Sequence, residues 1–254
     1  WAAKLIRNWY GGNPQGNQRY AEAFTAARNN EPNAGMALAN LVRDASTPDI
    51  ARASALAELG PYLSQATIDD VVRGLAEDDS LLRVAALQVL ESAPLEIRVK
   101  LAFPALTDPV RAVRIEAARL LAALPAGDLP AKQRSQFEKG LEEYIKAQQV
   151  MAERPEAQVN LGNLYAARGE VRPAIDAYQT AIDLNAAFAP AYVNYADLLR
   201  SQGDEDKAEA VLRRAVTVIP ENGDVHHVLG LPLVRQKQTA EAIDMLEHAA
   251  KLSP

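Results

Sequence analysis

The stretch AQVNLGNLYAARGEVRPAIDAYQTAI, residues 157–182, decides the reading of this chain because it returns twice. It comes back as AYVNYADLLRSQGDEDKAEAVLRRAV, residues 191–216, and again as VHHVLGLPLVRQKQTAEAIDMLEHAA, residues 225–250. What repeats, at intervals of 34, is a pattern of side-chain sizes more than of identities. Gly162, Ala196 and Gly230 share one offset, Ala174, Ala208 and Ala242 a second, and Ala181, Ala215 and Ala249 a third. Leu161, Tyr195 and Leu229 precede the first set, and Tyr178, Leu212 and Leu246 lie between the other two. Small residues at fixed helical offsets describe a unit of two helices joined by a turn, in which Gly or Ala lets the backbones approach. Such a unit buries its apolar face only against its neighbours, so the expected fold is an all-α superhelical solenoid.

Upstream the period changes. Arg52, Arg83 and Arg114 are 31 apart, as are Ala55, Ala86 and Ala117, and Leu59, Leu90 and Leu121. Arg, Ala three on and Leu four beyond place Ala and Leu on one helical face. The pattern predicts helices near 33–44, 48–59, 67–76, 80–91, 95–106 and 110–123, with 18–29 as an amino-terminal cap. Thr47-Pro48 and Asp108-Pro109 each read as an N-cap followed by Pro at the first helical position, and Thr67 with Asp70 as a capping box. LPAGDLPAKQ, residues 124–133, has two prolines and a glycine and marks the joint between the arrays.

The 34-residue pattern resembles the tetratricopeptide repeat, with full repeats at 155–188, 189–222 and 223–254. FEKGLEEYIKAQQVMA resembles the second helix of an incomplete repeat, with Gly140, Tyr144 and Ala147 under Ala174, Tyr178 and Ala181. That half-repeat is expected to cover the first full repeat and dock the two arrays. The segments LAEDDSLLRVAALQVL and LTDPVRAVRIEAARLL resemble a HEAT-type array. In that family an acidic residue six before the Arg joins an inter-repeat ladder; Glu77 with Arg83 and Asp108 with Arg114 keep the spacing, and Ser46 before Arg52 departs from it. The expected organisation is an amino-terminal helix and turn at 1–16, HEAT-like repeats at 17–130 and a tetratricopeptide domain at 131–254. Pro220 and Pro254 match the family's helix-terminating proline, Ala186 replaces it, and Pro232 falls inside a helix that it should kink at a cost of about 3 kcal/mol unless packing compensates.

By the same resemblance the first helix of each repeat lines a concave groove. The inward positions hold Val159, Asn160, Asn163 and Ala166 in the first repeat, Val193, Asn194, Asp197 and Arg200 in the second, and His227, Val228, Leu231 and Val234 in the third. Asn160 and Asn194 fall where the repeats of O-linked N-acetylglucosamine transferase carry an asparagine ladder, and NLGNLY is similar to it. An amide both donates to and accepts from a peptide backbone. The expected site is therefore a partner-binding row of Asn160, Asn163, Asn194, Asp197, Arg200 and His227, and the expected partner is a protein or extended peptide. The carboxylate clamp of co-chaperone repeats needs cations where this chain has Val159, Asp224 and Val228, which argues against a chaperone-tail ligand.

Composition narrows the remaining classes. Basic residues number 13 against 15 acidic through residue 130 and 14 against 18 beyond it, so neither half offers the basic stripe of nucleic-acid binding. No apolar run reaches the roughly 18 residues of a membrane span. Without cysteine, thiolate metal sites, disulfides and covalent haem attachment are excluded within the chain. The adjacent His226 and His227 diverge on a helix and His248 lies on another, GGNPQG lacks the Lys-Ser/Thr of a phosphate loop, and no nucleophile–base set is present. The sequence reads as a non-enzyme with no metal, cofactor or small-molecule substrate. WAAKLIRNWY, starting at Trp1, reads as a helix entered partway, hence a piece of a longer protein. The order WAAKLIRNWYGG, AEAFTAARNN, a HEAT-like array, then PAYVNYADLLR and HHVLGLPLVRQ resembles the carboxyl-terminal half of bacterial multihaem c-type cytochromes. That resemblance implies haem motifs upstream, none in this chain, an exported periplasmic parent, and a second reading as a structural arm in electron transfer. Without it a cytoplasmic location stands as the alternative.

Overall fold

The computed structural model describes residues 17–252 apart from 126 and 128. WAAKLIRNWY, GGNPQG and Pro254 lie outside the described residues. Among the described residues there are fourteen α-helices, three short 3-10 segments and no strand. Contacts divide the chain into two units. One runs to Leu121 and takes in the stretch ending at Glu143; the other comprises Ala122–Pro125 and the chain from Tyr144 onward. Each is built of stacked helices, an α-solenoid architecture.

The first unit contains α1 (Asn17–Arg28), α2 (Ala34–Arg43), α3 (Asp49–Ala57), α4 (Ile68–Leu75), α5 (Ser80–Val89), α6 (Leu95–Ala102) and α7 (Arg111–Leu120), and most of α8 (Ala131–Gln149). Several predicted helices end early in tight turns, at Gly60–Tyr62, Leu90–Ser92 and Phe103–Thr107. In the last of these Pro104 has no N–H to give to the α6 ladder, so the chain tightens to i→i+3 bonding. The caps also differ from expectation. Pro48 itself is the N-cap of α3, and α7 starts at Arg111 after Asp108 Oδ1 has accepted Val110 N–H at 2.8 Å. Thr67 caps α4 without a side-chain bond to it; its hydroxyl donates to Tyr62 O instead. Asp70 is buried and takes both Nε and Nη2 of Arg43 at 2.7 Å, a charge-assisted pair that outcompetes a capping box.

The arginine ladder is present, and Glu77 and Asp108 join it between repeats as expected. Each Arg reaches forward to the next repeat: Arg52 to Glu77, Arg83 to Asp108 at 2.8 and 3.1 Å, and Arg114 to Glu143 at 2.9 and 3.0 Å. The acidic residues six before Arg83 and Arg114 also contribute their backbone carbonyls: Glu77 O accepts from Arg83 and Asp108 O from Arg114, both at 2.8 Å. Arg52 therefore needs no acid at position 46. It donates to Val42 O at 3.0 Å and to Asp49 Oδ1 at 3.0 Å, and its rung forms despite Ser46.

The second unit pairs α9 (Pro155–Ala167) with α10 (Val171–Leu184), α11 (Ala189–Ser201) with α12 (Glu205–Val218), and α13 (Gly223–Arg235) with α14 (Thr239–Leu252). The small-residue offsets are the helix crossings. A Cβ on Gly162 would sit 2.4 Å from Cε1 of Tyr178, and one on Gly230 2.7 Å from Leu246. Tyr178 and Tyr192 are almost wholly buried, and each contributes on the order of 2 kcal/mol of burial. The turns inside the pairs repeat as well: Gly169, Gly203 and Lys237 all have positive φ, at 73°, 81° and 62°. Pro232 does not end α13. The helix continues to Arg235, and Val225, Leu229 and Leu233 on it are buried to within 1 %. That burial exceeds the cost of the missing N–H, so packing holds the helix through the proline.

Candidate functional site

The first helices of the three pairs, α9, α11 and α13, carry all six residues expected to bind a partner. Three of them, Asn163, Asn194 and Asp197, line one cleft of about 380 Å³ together with Ala166, Tyr178 and Ser201. Asn160, Arg200 and His227 lie outside that lining.

The chemistry of the cleft turns on one amide. Asn163 Oδ1 accepts from Tyr178 Oη–H at 2.8 Å and from Asn194 Nδ2 at 2.9 Å. Burial pushes the Tyr178 hydroxyl up to about 12, so it remains a neutral donor through the physiological range. A phenol that donates fixes which end of the Asn163 side chain is oxygen. Both lone pairs of that oxygen are then used. Asn163 Nδ2 and Asn194 Oδ1 have no partner among the described residues and stand open to a ligand, a donor on one repeat and an acceptor on the next.

Asn160 has a partner within the chain. Its Nδ2 donates to Gln148 Oε1 of α8 at 3.1 Å, and no bond links it to Asn194. Asp197 is paired with Arg200 on the same helix. Burial, and then the positive charge of Arg235, hold the Arg200 guanidinium below its ordinary value. His227 is exposed, whereas His226 is buried, with Nε2 2.7 Å from Pro220 O and its ring stacked on His248 at 5.5 Å. Sequence reasoning treated Tyr178 as packing alone and gave Gln148, Ser201 and Arg235 no role. The usable signal for Tyr178 was its offset opposite Gly162, which brings its ring beneath the first helix.

Among the described residues no three His, Cys, Asp or Glu converge as a metal site, and no helix is long and apolar enough to cross a membrane.

Comparison with known proteins finds tetratricopeptide repeats in part of the second unit. Two sequence models of the tetratricopeptide repeat match, one at residues 155–188 and one at residues 189–231. A curated relative, the cell division cycle protein 27 homolog of Caenorhabditis elegans, is 28% identical over 102 residues, 40% of this chain. The chain spans only 13% of that relative's length. Two solved structures of the protein MamA are similar at 22% and 20% identity, each with a TM-score of 0.37. They cover 75% and 79% of this chain and 95% and 91% of their own. Residues 155–231 thus carry tetratricopeptide repeats.

Proposed function

We propose that the protein is a non-catalytic protein–protein interaction scaffold whose repeat groove holds an extended polypeptide. The observation that carries this reading is the Asn163–Asn194 hydrogen bond between consecutive repeats. It pre-orients two side chains so that one open N–H and one open carbonyl face the same cleft. An extended chain offers a C=O and an N–H from each residue, so a donor and an acceptor held side by side match it without reading its sequence. Asn160, Asp197, Arg200 and His227, on the same set of first helices, then shape selectivity around that grip.

The test is to select binding peptides from a displayed library with the full chain and measure them by calorimetry. The Asn163→Ala/Asn194→Ala double variant should bind about tenfold or more weakly, because each lost ligand hydrogen bond costs about 0.5–1.5 kcal/mol. Its circular dichroism should match the wild type. Equal affinities would move the site off the groove.

A further inference from the structure

A second cavity, of about 160 Å³, lies between α10, α11 and α12 and shares no lining residue with the Asn163–Asn194 cleft. Tyr192, which is buried, and Tyr195, half-buried, line it from α11. Ile182 of α10 and Val211 of α12 add apolar walls, and three exposed polar side chains complete the lining, Gln179 and Asp183 from α10 and Arg214 from α12. Asp183 has no hydrogen bond or ion pair among the described residues. The Arg214 guanidinium lies 5.9 Å from the centroid of the Tyr192 ring, a contact with the ring face that leaves its N–H donors open. An acid and a guanidinium therefore line one cavity without pairing with each other. Gln179 Nε2 donates to Tyr195 Oη at 3.3 Å, so Gln179 Oε1 remains an open acceptor and the Tyr195 hydroxyl hydrogen an open donor.

The neighbouring repeats show which of these residues the stacking itself requires. Tyr192 Oη donates to Ala186 O at 3.0 Å. One repeat back Gln158 makes the same bond to Ala152 O at 2.8 Å, and one repeat on His226 Nε2 lies 2.7 Å from Pro220 O. That position needs a donor, and three residue types supply it. The positions of Asp183, Tyr195 and Arg214 hold Gln149, Leu161 and Thr180 one repeat back, and Thr217, Leu229 and His248 one repeat on. Neither neighbour carries the two opposite charges, so helix packing does not call for them.

We infer that this cavity binds a free α-amino acid with a short aliphatic side chain, its ammonium on Asp183, its carboxylate on Arg214 and its side chain against Ile182 and Val211. A zwitterion answers both charges at once. A simple anion would be drawn to Arg214 and repelled by Asp183, and a simple cation the reverse. Gln179 Oε1 gives the ammonium a second acceptor, and the Tyr195 hydroxyl gives the carboxylate a second donor. A cavity of about 150 Å³ holds one benzene ring, so about 160 Å³ accommodates a short aliphatic side chain while the charged ends meet the exposed rim.

The probe is L-valine, titrated by calorimetry into the full chain beside isobutylamine and isovalerate, which carry the same side chain with one charge each. Valine should bind about tenfold tighter than either, and Asp183→Asn and Arg214→Gln should each weaken it about tenfold. Both side chains are exposed, so both variants should keep the wild-type melting temperature. The Asn163→Ala/Asn194→Ala variant should bind valine as the wild type does; a loss there would place valine in the groove cleft and overturn the inference. Equal binding of the three probes would overturn it, because the paired charges would then add nothing. Valine affinity unchanged by Asp183→Asn or by Arg214→Gln would do the same, and so would the absence of valine binding at millimolar concentration.

Discussion

Asn194 Nδ2 and Asn163 Oδ1 are 2.9 Å apart although 31 residues separate them in the chain, and Tyr178 Oη closes on the same oxygen from the second helix of the first pair. One carbonyl thereby joins three helices. The packing of a repeat and the orientation of the side chains lining this cleft are the same set of contacts, so a change made in the core should be readable in the cleft.

Replacing Tyr178 with Phe isolates the phenol. The ring stays and the donor goes, so the loss should be about 0.5–1.5 kcal/mol with the fold retained. Ultraviolet titration should show one fewer phenol ionising near 12 in the variant than in the wild type. The raised value stabilises the folded state fully below the unfolded tyrosine pKa of about 10, and that contribution is lost as pH rises toward 12. The variant should therefore lose less stability than the wild type across that interval.

Gly162→Ala tests whether the small-residue offset is a crossing. Alanine gains about 1 kcal/mol of helix propensity over glycine. Its methyl, however, would lie 2.4–2.9 Å from three atoms of the Tyr178 ring, which is buried and hydrogen-bonded and has no free end to move. Overpacking of this kind costs about 1–3 kcal/mol, so the net change should be destabilising. A variant with an unchanged or raised melting temperature would mean that the ring yields more easily than its burial suggests.

Lys237→Gly should act in the opposite sense. Lys237 occupies the left-handed position that Gly169 and Gly203 fill in the other two turns, with φ of 62°. A side chain there costs about 1–2 kcal/mol, and glycine gives back part of that gain through the greater freedom of its unfolded chain. The expected net gain is about 0.5–1 kcal/mol, read as a higher midpoint in urea.

The legible part of this molecule was what repeats. Offsets such as Ala174, Ala208 and Ala242 are set by sterics that every pair must satisfy, so period alone located the helix pairs of the second unit. The capping and hydrogen-bond partners were less legible because they depend on competition between groups. Asp70 could serve Thr67 or Arg43, and a guanidinium from a helix 27 residues away wins because it brings charge and two parallel bonds. The intramolecular partners of the asparagines are another case. Asn160 and Asn194 share a repeat position, but Gln148 satisfies the first, and Asn163, one turn along, receives the second. Equivalent positions predict where a side chain stands, while its partner depends on what else can reach it.

The ladder gives the last prediction, in acid. Hydrogen bonds from Arg114, followed by that residue's charge, hold the Glu143 carboxyl below its ordinary value, and the side chain is 19% exposed. The unfolded chain takes up the proton near pH 4.3, the folded one only at lower pH. Above that value the pair contributes its full stabilisation, and as pH falls through the lowered value the contribution disappears, because the unfolded state then binds the extra proton. Glu143→Gln keeps the shape and removes the charge. It should cost about 1–2 kcal/mol at neutral pH, since two charge-assisted bonds from Arg114 weaken. The same comparison in acid, below the ordinary carboxylate range, should show the two proteins converging, because protonated Glu143 is no better a partner than glutamine. Melting temperatures measured for both proteins from neutral pH down to about pH 3 decide the matter. A gap that stays constant across the series would show that Glu143 contributes by packing alone, and would remove the electrostatic account of this rung.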